Sequence, residues 1–424
     1  MNWESLDWEV LDRLRETFLT DAKSAGPYWH TLTDLECYDL TYGERIGWKW
    51  DAVLRELRQR GWAPPLCHRE PANGGCGNPV SRIASPSGEA GRLAMTGSDT
   101  DSPPPTAGDR WSALTPTRSE RIEVNPLHPK SDILDWGCGS GVAGRRVTEF
   151  FSAHHFSRLV VHDHSALAMD YAEHTARKQF PGLTVERASV RDLRGDAPIG
   201  VLVVSHVLNE LDDTARAELG ELIARAQTVL WVEPGTHEVS RALVGWRQQW
   251  RSAFEVVAPC THQAACGLLA PENARHWCHH FASPPPEIFA DSNWVRFGQR
   301  AGIDLRALPY SFLVLARKTG EAADGAHRAS LQEETDTGAS RILGDPRIYK
   351  GYAKIFNCSA AGVEELTLQQ RVDRALFKSL KRARGPLLYR WTREGAQITG
   401  AEPLFASVES PAADDEAHPD SGTA

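Results

Sequence analysis

The sequence lacks the features that mark membrane and secreted proteins. It contains no stretch approaching the ~20 consecutive apolar residues that span a bilayer. Its first residues are acidic, without the basic and then apolar segments of a secretory signal. Cysteine is sparse, with 8 residues in 424, so clustered cysteines favour a metal or catalytic site over disulfides. We therefore predict a cytoplasmic monomer with no membrane partner.

Negative charge prevails overall but is unevenly distributed. The formal net charge of −9 excludes a uniformly basic nucleic-acid-binding protein. Between Arg341 and Arg393, however, 12 Lys or Arg residues face only 4 Asp or Glu, and from Glu402 onward there is no Lys or Arg. A local basic module can bind polyanions whatever the sign of the whole chain. The length of 424 residues suits two or three domains.

Composition marks three segments that cannot form a core. Residues 63–128 are dominated by Pro, Gly, Ser and Thr, which predicts a disordered insertion. Residues 319–340 form a polar linker, and residues 406–424 form an acidic disordered tail. Residues 1–62, by contrast, predict a helical region, with an amphipathic helix over Trp48–Leu57. We interpret the aromatic residues of this region as core and not as a surface for stacking bases.

Residues 129–318 alternate short apolar runs with helical patterns, which indicates a parallel sheet with crossover helices. The predicted strands are Ile133–Trp136, Leu159–Asp163, Val201–Ser205, Thr228–Glu233 and Phe312–Arg317. Residues 341–405 form a separate basic module. There, Arg347–Phe356 alternates like a strand with Lys350 and Lys354 on one face, and Thr367–Arg384 predicts a helix.

A glycine-rich turn follows the first strand, in Asp135-Trp136-Gly137-Cys138-Gly139-Ser140-Gly141. Glycines at these positions permit positive φ and close approach of the backbone to a ligand at a helix N-terminus. Asp163 ends the next strand, where Rossmann-like folds place the carboxylate that accepts the ribose hydroxyls, and Ser165 is within reach of the same sugar. The leading acid, Asp135, separates the pattern from the usual dinucleotide fingerprint. It resembles the acid-x-Gly-x-Gly-x-Gly motif of class I S-adenosylmethionine (SAM) methyltransferases.

That resemblance implies positions for the rest of a SAM pocket. The leading acid orients the methionine end of SAM, Asp192 matches the acid that meets the adenine amino group, and the methyl acceptor lies after Ser205. The predicted SAM-binding residues are Asp135, Gly137, Gly139, Gly141, Asp163, Ser165, Asp192 and Ser205. Methyl transfer needs alignment and sometimes a base. His206, Asn209 and Glu210 are candidates for a base or for acceptor contacts, and each equally suits a helix cap or a loop anchor.

Three cysteines lie within 19 residues, namely Cys260, Cys266 and Cys278, and Cys358 is a distant fourth candidate. This clustering beside a proline and several histidines favours a metal site over buried structural thiols. Four thiolates suit an iron–sulfur cluster or zinc, and their spacing does not separate the two. Another interpretation, Cys260 as a nucleophile for methylating C5 of a pyrimidine, is disfavoured because Cys260 lies far beyond the acceptor strand.

The basic C-terminal segments favour contact with a phosphate backbone, because like charges crowd there and acids are scarce. The candidate RNA-binding residues are Lys350, Lys354, Arg371, Arg374, Lys378, Lys381 and Arg382.

Several motifs of the sequence, taken in order, resemble those of the ribosomal small-subunit methyltransferase-like family. They are DWGCGSG, SHVLNEL, EPGT, APCTHQAAC, WCHHF, LPYSFLVLARK and the distant Cys358. This family comprises mitochondrial small-subunit assembly factors and bacterial relatives, and the resemblance covers residues 129–385. It implies a [4Fe–4S] cluster held by Cys260, Cys266, Cys278 and Cys358, and a partner in the small ribosomal subunit and its rRNA.

The predicted fold is thus α/β: a class I SAM-dependent methyltransferase (Rossmann-like) domain with an N-terminal helical region and a small basic C-terminal α+β module. The predicted function is that of a SAM-binding, methyltransferase-like protein with a [4Fe–4S] cluster that acts on the small ribosomal subunit and its rRNA in assembly or translation, and methylation of the subunit is the favoured activity. Two alternatives stay open: a non-catalytic assembly factor whose SAM and metal sites are structural, and a small-molecule methyltransferase with a zinc site.

Overall fold

The computed structural model describes residues 3–19, 29–64, 131–318, 338–381 and 386–405. The tail, nearly all of the predicted insertion and most of the predicted linker lie outside the described residues. The helices are α1 (Trp8–Leu19), α2 (Leu32–Tyr38), α3 (Glu44–Gln59), α4 (Val142–Phe151), α5 (Ala166–Gln179), α6 (Val190–Leu193), α7 (Asp213–Arg225), α8 (His237–Trp250), α9 (Ser292–Ala301) and α10 (Arg374–Leu380). In the described ranges, no helix is both long and apolar enough to cross a membrane.

The strands form two sheets. They are β1 (Ser131–Trp136), β2 (Phe156–His162), β3 (Thr184–Arg187), β4 (Ile199–Ser205), β5 (Ala226–Pro234), β6 (Phe254–Ala258), β7 (His280–Ala282), β8 (Leu308–Arg317), β9 (Ala339–Ile342), β10 (Arg347–Tyr349), β11 (Tyr352–Ser359), β12 (Gly362–Gln369), β13 (Leu388–Glu394) and β14 (Gln397–Pro403). All five predicted strands are present, as β1, β2, β4, β5 and β8, whereas β3, β6 and β7 were not predicted.

The larger sheet has the order β3-β2-β1-β4-β5-β8-β6, with β7 paired to β8. Strands β1 to β5 run parallel, and β8 is inserted antiparallel beside β5. This is the sheet of class I SAM-dependent methyltransferases, so the predicted fold class is confirmed. Because the strand order reverses between β1 and β4, the carboxyl ends of these two strands flank the crevice in which such sheets bind ligands.

The N-terminal helices pack directly on this sheet. Trp50 and Leu54 of α3 share one hydrophobic cluster with Val203 of β4 and Phe312 of β8. Most of the described aromatic residues of the region are therefore core, as interpreted, whereas Phe18 is 41% exposed, and that core belongs jointly to the helices and the sheet. Helix α3 consequently lies against the sheet and not in a separate bundle.

The C-terminal module is a six-stranded sheet in the order β10-β11-β12-β14-β13-β9. Helix α10 packs on this sheet, and together they form a hydrophobic core of the module's own residues. The predicted helix over Thr367–Arg384 was wrong in its first half. Leu366 and Leu368 alternate with more exposed residues and pair across β11, so this stretch is the end of β12. The helix begins only after Asp373, whose carboxylate accepts the Leu376 N–H at 2.8 Å as an N-cap.

The predicted single strand over Arg347–Phe356 is instead a hairpin. Strands β10 and β11 pair antiparallel, with Tyr349 opposite Tyr352. The chain reverses at Lys350 and Gly351, where Gly351 has a φ of 85° that favours glycine. Lys350 therefore lies at the hairpin tip and does not share a strand face with Lys354.

Candidate functional site

The glycine-rich turn joins β1 to α4 with a left-handed backbone at Gly137, Gly139 and Gly141. A Cβ at Gly137 would lie 2.6 Å from a Val207 methyl carbon, and one at Gly141 would lie 2.8 Å from Cβ of Ala172. Gly139 differs, because nothing lies within 4 Å of the position its Cβ would take. The turn therefore needs glycine for its own packing at two positions and presents bare backbone to open space at the third.

Asp135 lies at the carboxyl end of β1 and is fully buried. One carboxylate oxygen, Oδ2, accepts the Gly144 N–H at 2.9 Å, while Oδ1 has no hydrogen-bond partner among the residues that the structure describes. Burial, with a smaller contribution from Asp163, raises the pKa of Asp135 to about 7. A buried carboxylate oxygen without a partner is costly, so this atom suits a hydrogen-bond donor supplied by a ligand.

Asp163 follows β2 and is fixed across the mouth of the turn. Its Oδ2 accepts the Gly139 N–H at 2.9 Å, and its Oδ1 accepts the Ser165 N–H at 2.9 Å. The Ser165 hydroxyl is used as the N-cap of α5, where it accepts the Ala168 N–H at 3.3 Å. The structure thus brings Asp163 to the turn, and it gives Ser165 the further task of starting the helix.

Asp192 lies in the short helix α6, on the surface beyond β3. Its carboxylate closes a capping box with Ser189, whose N–H and hydroxyl donate to Oδ2 at 2.7 Å. These hydrogen bonds lower the pKa of Asp192. Its contact with the adenine amino group stays a prediction.

The acceptor side of the crevice, at the end of β4, is covered by helix α3. Trp50 Nε1 donates to the Ser205 hydroxyl at 3.0 Å, and Lys49 Nζ lies 3.1 Å from Nε2 of His206. Lys49 is only 8% exposed, and burial, followed by the charge of Arg45, lowers its pKa to about 7. The sequence pattern did not place these α3 side chains at the pocket.

His206 adopts a left-handed backbone with a φ of 58°, which is uncommon outside glycine and concentrates at functional sites. Its Nδ1 lies 3.2 Å from the Ser205 hydroxyl, so both ring nitrogens have partners. Burial, then the charges of Lys49 and Arg45, lower its pKa well below the usual value. The other two candidates for a base, Asn209 and Glu210, lie exposed in the turn that follows.

Glu233, at the end of β5, is a buried acid to which the sequence analysis gave no role. Its Oε1 accepts hydrogen bonds from Trp231 Nε1 at 2.7 Å and from the Val207 N–H at 3.1 Å. Its Oε2 is buried without a partner, and burial raises the pKa of the carboxyl to about 7. The sequence did contain a signal for this residue, because Glu233 is an acid at the end of an apolar strand and is followed by Pro234-Gly235-Thr236.

Asp39, between α2 and α3, fastens the N-terminal helices to the glycine-rich turn. Its carboxylate accepts hydrogen bonds from the Ser140 hydroxyl at 2.8 Å and from Arg145 Nη2 at 2.6 and 2.7 Å. Tyr171 of α5 adds a hydroxyl donor at 3.3 Å. The pocket is therefore bordered by strand ends on one side and by the N-terminal region on the other.

The four predicted metal-ligating cysteines come together between the two sheets. Burial raises the pKa of Cys266, Cys278 and Cys358, and in each case the neighbouring Cys260 sulfur adds to the effect. Arg247 of α8 donates from Nε to the Cys260 sulfur at 3.3 Å. Within the described ranges, no group of three or more His, Cys, Asp or Glu side chains is arranged to hold a metal ion.

Two histidines also reach sulfurs in this cysteine site, which we define as Cys260, Cys266, Cys278 and Cys358. His262 Nε2 lies 3.8 Å from the Cys358 sulfur, and His280 Nε2 lies 3.7 Å from the Cys278 sulfur. With Arg247 they place side-chain nitrogens within hydrogen-bonding distance of three of the four sulfurs.

A buried ion-pair network joins this site to helix α3 and to the C-terminal sheet. Glu56 of α3 is 0% exposed and accepts hydrogen bonds from Arg341 of β9 and from Arg60 Nε, the latter at 2.9 Å. Both arginines also donate to the carbonyl of Pro259, beside Cys260. One helix therefore contacts the pocket through Lys49 and the cysteine site through Glu56.

The candidate RNA-binding residues fall into different surroundings. Lys354 forms an ion pair with Glu365 at 2.6 Å, and the ammonium of Lys381 lies 5.2 Å from the centre of the Phe377 ring. Four of the candidates are exposed and have no carboxylate partner in the described part of the chain, namely Lys350, Arg371, Arg374 and Lys378. Arg382 lies outside the described residues.

Comparison with protein-family models gives one match, to the family described as mitochondrial small ribosomal subunit Rsm22, over residues 109–387. This match covers about two thirds of the chain. No curated protein matches the chain.

Solved structures match at low similarity. The N-methyltransferase NodS from Bradyrhizobium japonicum, in complex with S-adenosyl-L-homocysteine, is 12% identical with a TM-score of 0.28; the match covers 45% of this chain and 79% of NodS. Magnesium protoporphyrin IX methyltransferase from Synechocystis is 10% identical with a TM-score of 0.27, covering 45% and 75%. These likenesses are too slight to carry an argument about this chain.

Proposed function

This chain belongs to the Rsm22 family of small ribosomal subunit proteins, and on that premise we propose that it binds SAM and acts on the small ribosomal subunit, through its rRNA, in assembly or translation. The observation that carries the SAM part is the pairing of open backbone at Gly139 with the unpartnered oxygen of Asp135. We retain the predictions of a cytoplasmic location and a monomeric state.

The pocket residues have separate tasks toward SAM. Asp135 Oδ1 would accept a hydrogen bond from the ligand's amino group, and Asp163, already fixed to Gly139, would accept those of the ribose. When bound, SAM supplies a methyl group carried on a positively charged sulfur. A bound cation would favour the ionised form of the buried carboxyls Asp135 and Glu233, at the ends of β1 and β5, whose pKa burial raises to about 7.

Catalysis places a further demand on His206. It is the best-placed base of the three candidates, because it directly follows β4 while Asn209 and Glu210 lie exposed. Both of its nitrogens are engaged, however, and Trp50 and Lys49 cover the acceptor side. This observation favours the second candidate function, an assembly factor that binds SAM without transferring its methyl group. It applies as long as α3 covers the acceptor side.

We propose in addition that the cysteine site holds a [4Fe–4S] cluster. Such a cluster is held by four cysteine thiolates, and the four cysteines lie near one another, since the Cys260 sulfur influences each of the other three. Arg247 provides positive charge, and with the two histidines it supplies hydrogen-bonding contacts to the sulfurs that would support thiolate ligands. Because Cys358 lies in β11, the group would fasten the C-terminal sheet to the SAM domain, a structural task.

Calorimetry with SAM, followed by methyl transfer to immature small subunits, tests the proposal. We expect the wild-type chain to bind SAM and to cosediment with small subunits, and Asp135→Asn to lose SAM binding. Methyl incorporation into rRNA would establish the enzyme, and SAM binding without incorporation would establish the assembly factor. A wild-type chain that binds neither SAM nor small subunits would overturn the proposal.

A further inference from the structure

The C-terminal sheet has one corner whose chemistry differs from the rest of its surface. The corner consists of the tip of the β10–β11 hairpin, residues 349–352, and the turn after β12, residues 370–372. The two turns are joined directly, because the Gln370 N–H donates to the Gly351 carbonyl at 2.9 Å. In the described part of the C-terminal module, the exposed large apolar side chains are Tyr349 and Val372, and both lie at this corner.

The two tyrosines of the corner form a flat aromatic platform. The rings of Tyr349 and Tyr352 lie opposite each other in the hairpin and stack with their centres 4.8 Å apart and their planes 11° apart. Tyr349 is 42% exposed, so its outer face meets solvent. Since each ring is held by the other, little side-chain freedom remains to be lost when a third ring stacks on the platform.

Positive charge at the corner is not neutralised, unlike that on the neighbouring strands. Arg347 and Lys354 both pair with Glu365, and Arg393 pairs with Glu364. Lys350 and Arg371 have no carboxylate partner among the described residues, and Arg371 donates only to the amide oxygen of Gln369, at 2.7 Å. Asp373, two residues after Arg371, is occupied as the cap of α10.

We propose that this corner, formed by Tyr349, Lys350, Tyr352, Arg371 and Val372, binds an unpaired segment of RNA. A base stacks on the tyrosine platform, and the flanking phosphates meet the two cations. The proposal rests on the proposed action on rRNA and specifies its mode, since a duplex presents no unstacked base to such a platform. Two exposed apolar side chains are too small a patch for a stable protein interface, which buries about 800 Å² on each partner.

The test uses the full chain and two fluorescent oligomers of equal length and charge. One is a ten-uridine RNA, and the other is a backbone of the same length without bases. We expect the wild-type chain to bind the uridine oligomer more tightly. Replacing both tyrosines by leucine keeps apolar bulk but removes the aromatic faces, and it should weaken uridine binding about 5- to 100-fold while leaving the base-free oligomer unaffected. Replacing both by phenylalanine should retain the preference.

The cations are tested by the salt dependence of the same binding. Lys350→Gln and Arg371→Gln should weaken both oligomers and each reduce the slope of log affinity against log salt by about 0.7. Lys354→Gln, which removes a lysine already paired with Glu365, is the matched control and should leave the slope unchanged.

Three results would overturn the proposal. They are equal binding of the two oligomers by the wild-type chain, an unchanged preference in the leucine variant, and loss of small-subunit binding in that variant with oligomer binding intact. The last result would assign the corner to a ribosomal protein. Cosedimentation of the wild-type chain with small subunits is scored separately, so the corner can fail while the proposed function stands.

Discussion

Lys49 Nζ and His206 Nε2, 157 residues apart in the chain, lie 3.1 Å from each other where helix α3 covers the end of β4. When Lys49 carries its proton, it occupies the lone pair that His206 would use as a base. The histidine is thus held neutral and oriented, with Ser205 on its other nitrogen. Whether His206 can accept a proton therefore depends on Lys49 of helix α3.

Lys49→Met should raise the pKa of His206. Burial, the largest cause of the lowered pKa, remains in the variant, while the lysine charge that follows it is removed. The pKa should therefore rise but stay below the ordinary value of about 6.5. Titration of isotope-labelled histidines by NMR measures this. Lys178→Met, which changes an exposed lysine of α5, is the control. An unchanged pKa of His206 in Lys49→Met would contradict the contact between Lys49 and His206.

Asp135→Asn should stabilise the ligand-free protein at neutral pH while it abolishes SAM binding. The folded-state pKa of about 7 lies above the ordinary value of 3.8. The folded state therefore binds more protons, and the stability that this carboxyl contributes is full below pH 3.8 and is lost as the pH rises to about 7. Asparagine keeps the oxygen that accepts the Gly144 N–H without the buried charge.

The gain in unfolding free energy for Asp135→Asn should grow between pH 4 and pH 7 to at most about 4 kcal/mol. Melting curves at several pH values measure it. Asp132→Asn, on the same strand but in a surface pair with Arg158, is the control and should change the unfolding free energy by less than about 1 kcal/mol. A gain in unfolding free energy that is the same at pH 4 and pH 8 would refute the raised pKa of Asp135.

Glu56→Gln should destabilise the protein strongly. The variant leaves Arg341, which is 2% exposed, without its carboxylate, and breaking a buried pair in this way costs about 3–5 kcal/mol. The melting temperature measured by calorimetry should fall accordingly. Asp12→Asn, which breaks an exposed pair with Arg300, provides the comparison and should cost less than about 1 kcal/mol. Equal effects of the two variants would show that the buried network is not what holds α3.

Cys358→Ser should lose the iron of the proposed cluster. Protein purified without oxygen should contain iron and absorb broadly near about 400 nm, and the variant should lack both. Cys37→Ser is the matched control, because Cys37 is also buried but accepts a hydrogen bond from the Asp7 N–H, away from the cysteine site. A colourless wild-type protein with one zinc ion would instead select the zinc alternative.

Local pattern was sufficient to predict the frame of the pocket. Asp135, the three glycines and Asp163 are close in the sequence to the strands that carry them, so strand ends and turn chemistry placed them correctly. The predicted helix over Thr367–Arg384 failed for a related reason. Leucines at 368, 376 and 380 fit a helical period, and only pairing with β11 reveals that Leu368 belongs to a strand.

Contacts between distant segments could not be predicted. Trp50 reaches Ser205 across 155 residues and Asp39 reaches Ser140 across 101, and a single sequence contains no signal for either pair. The aromatic and charged residues of 1–62 were visible in the sequence, but their partners lie on another part of the chain. The acceptor side of the pocket was therefore the least predictable part of the site.

The Glu56–Arg341 pair also constrains the order in which the chain can reach its final state. The two residues are 285 positions apart, so synthesis at 5–20 residues per second separates their appearance by roughly 15 to 60 seconds. During that interval a charged side chain destined for the interior has only Arg60 beside it, and the apolar face of α3 awaits the strands that bury it. Until those strands have been synthesised, the apolar residues of α3 lack the partners that bury them, and exposed apolar surface of this kind makes folding intermediates prone to aggregate.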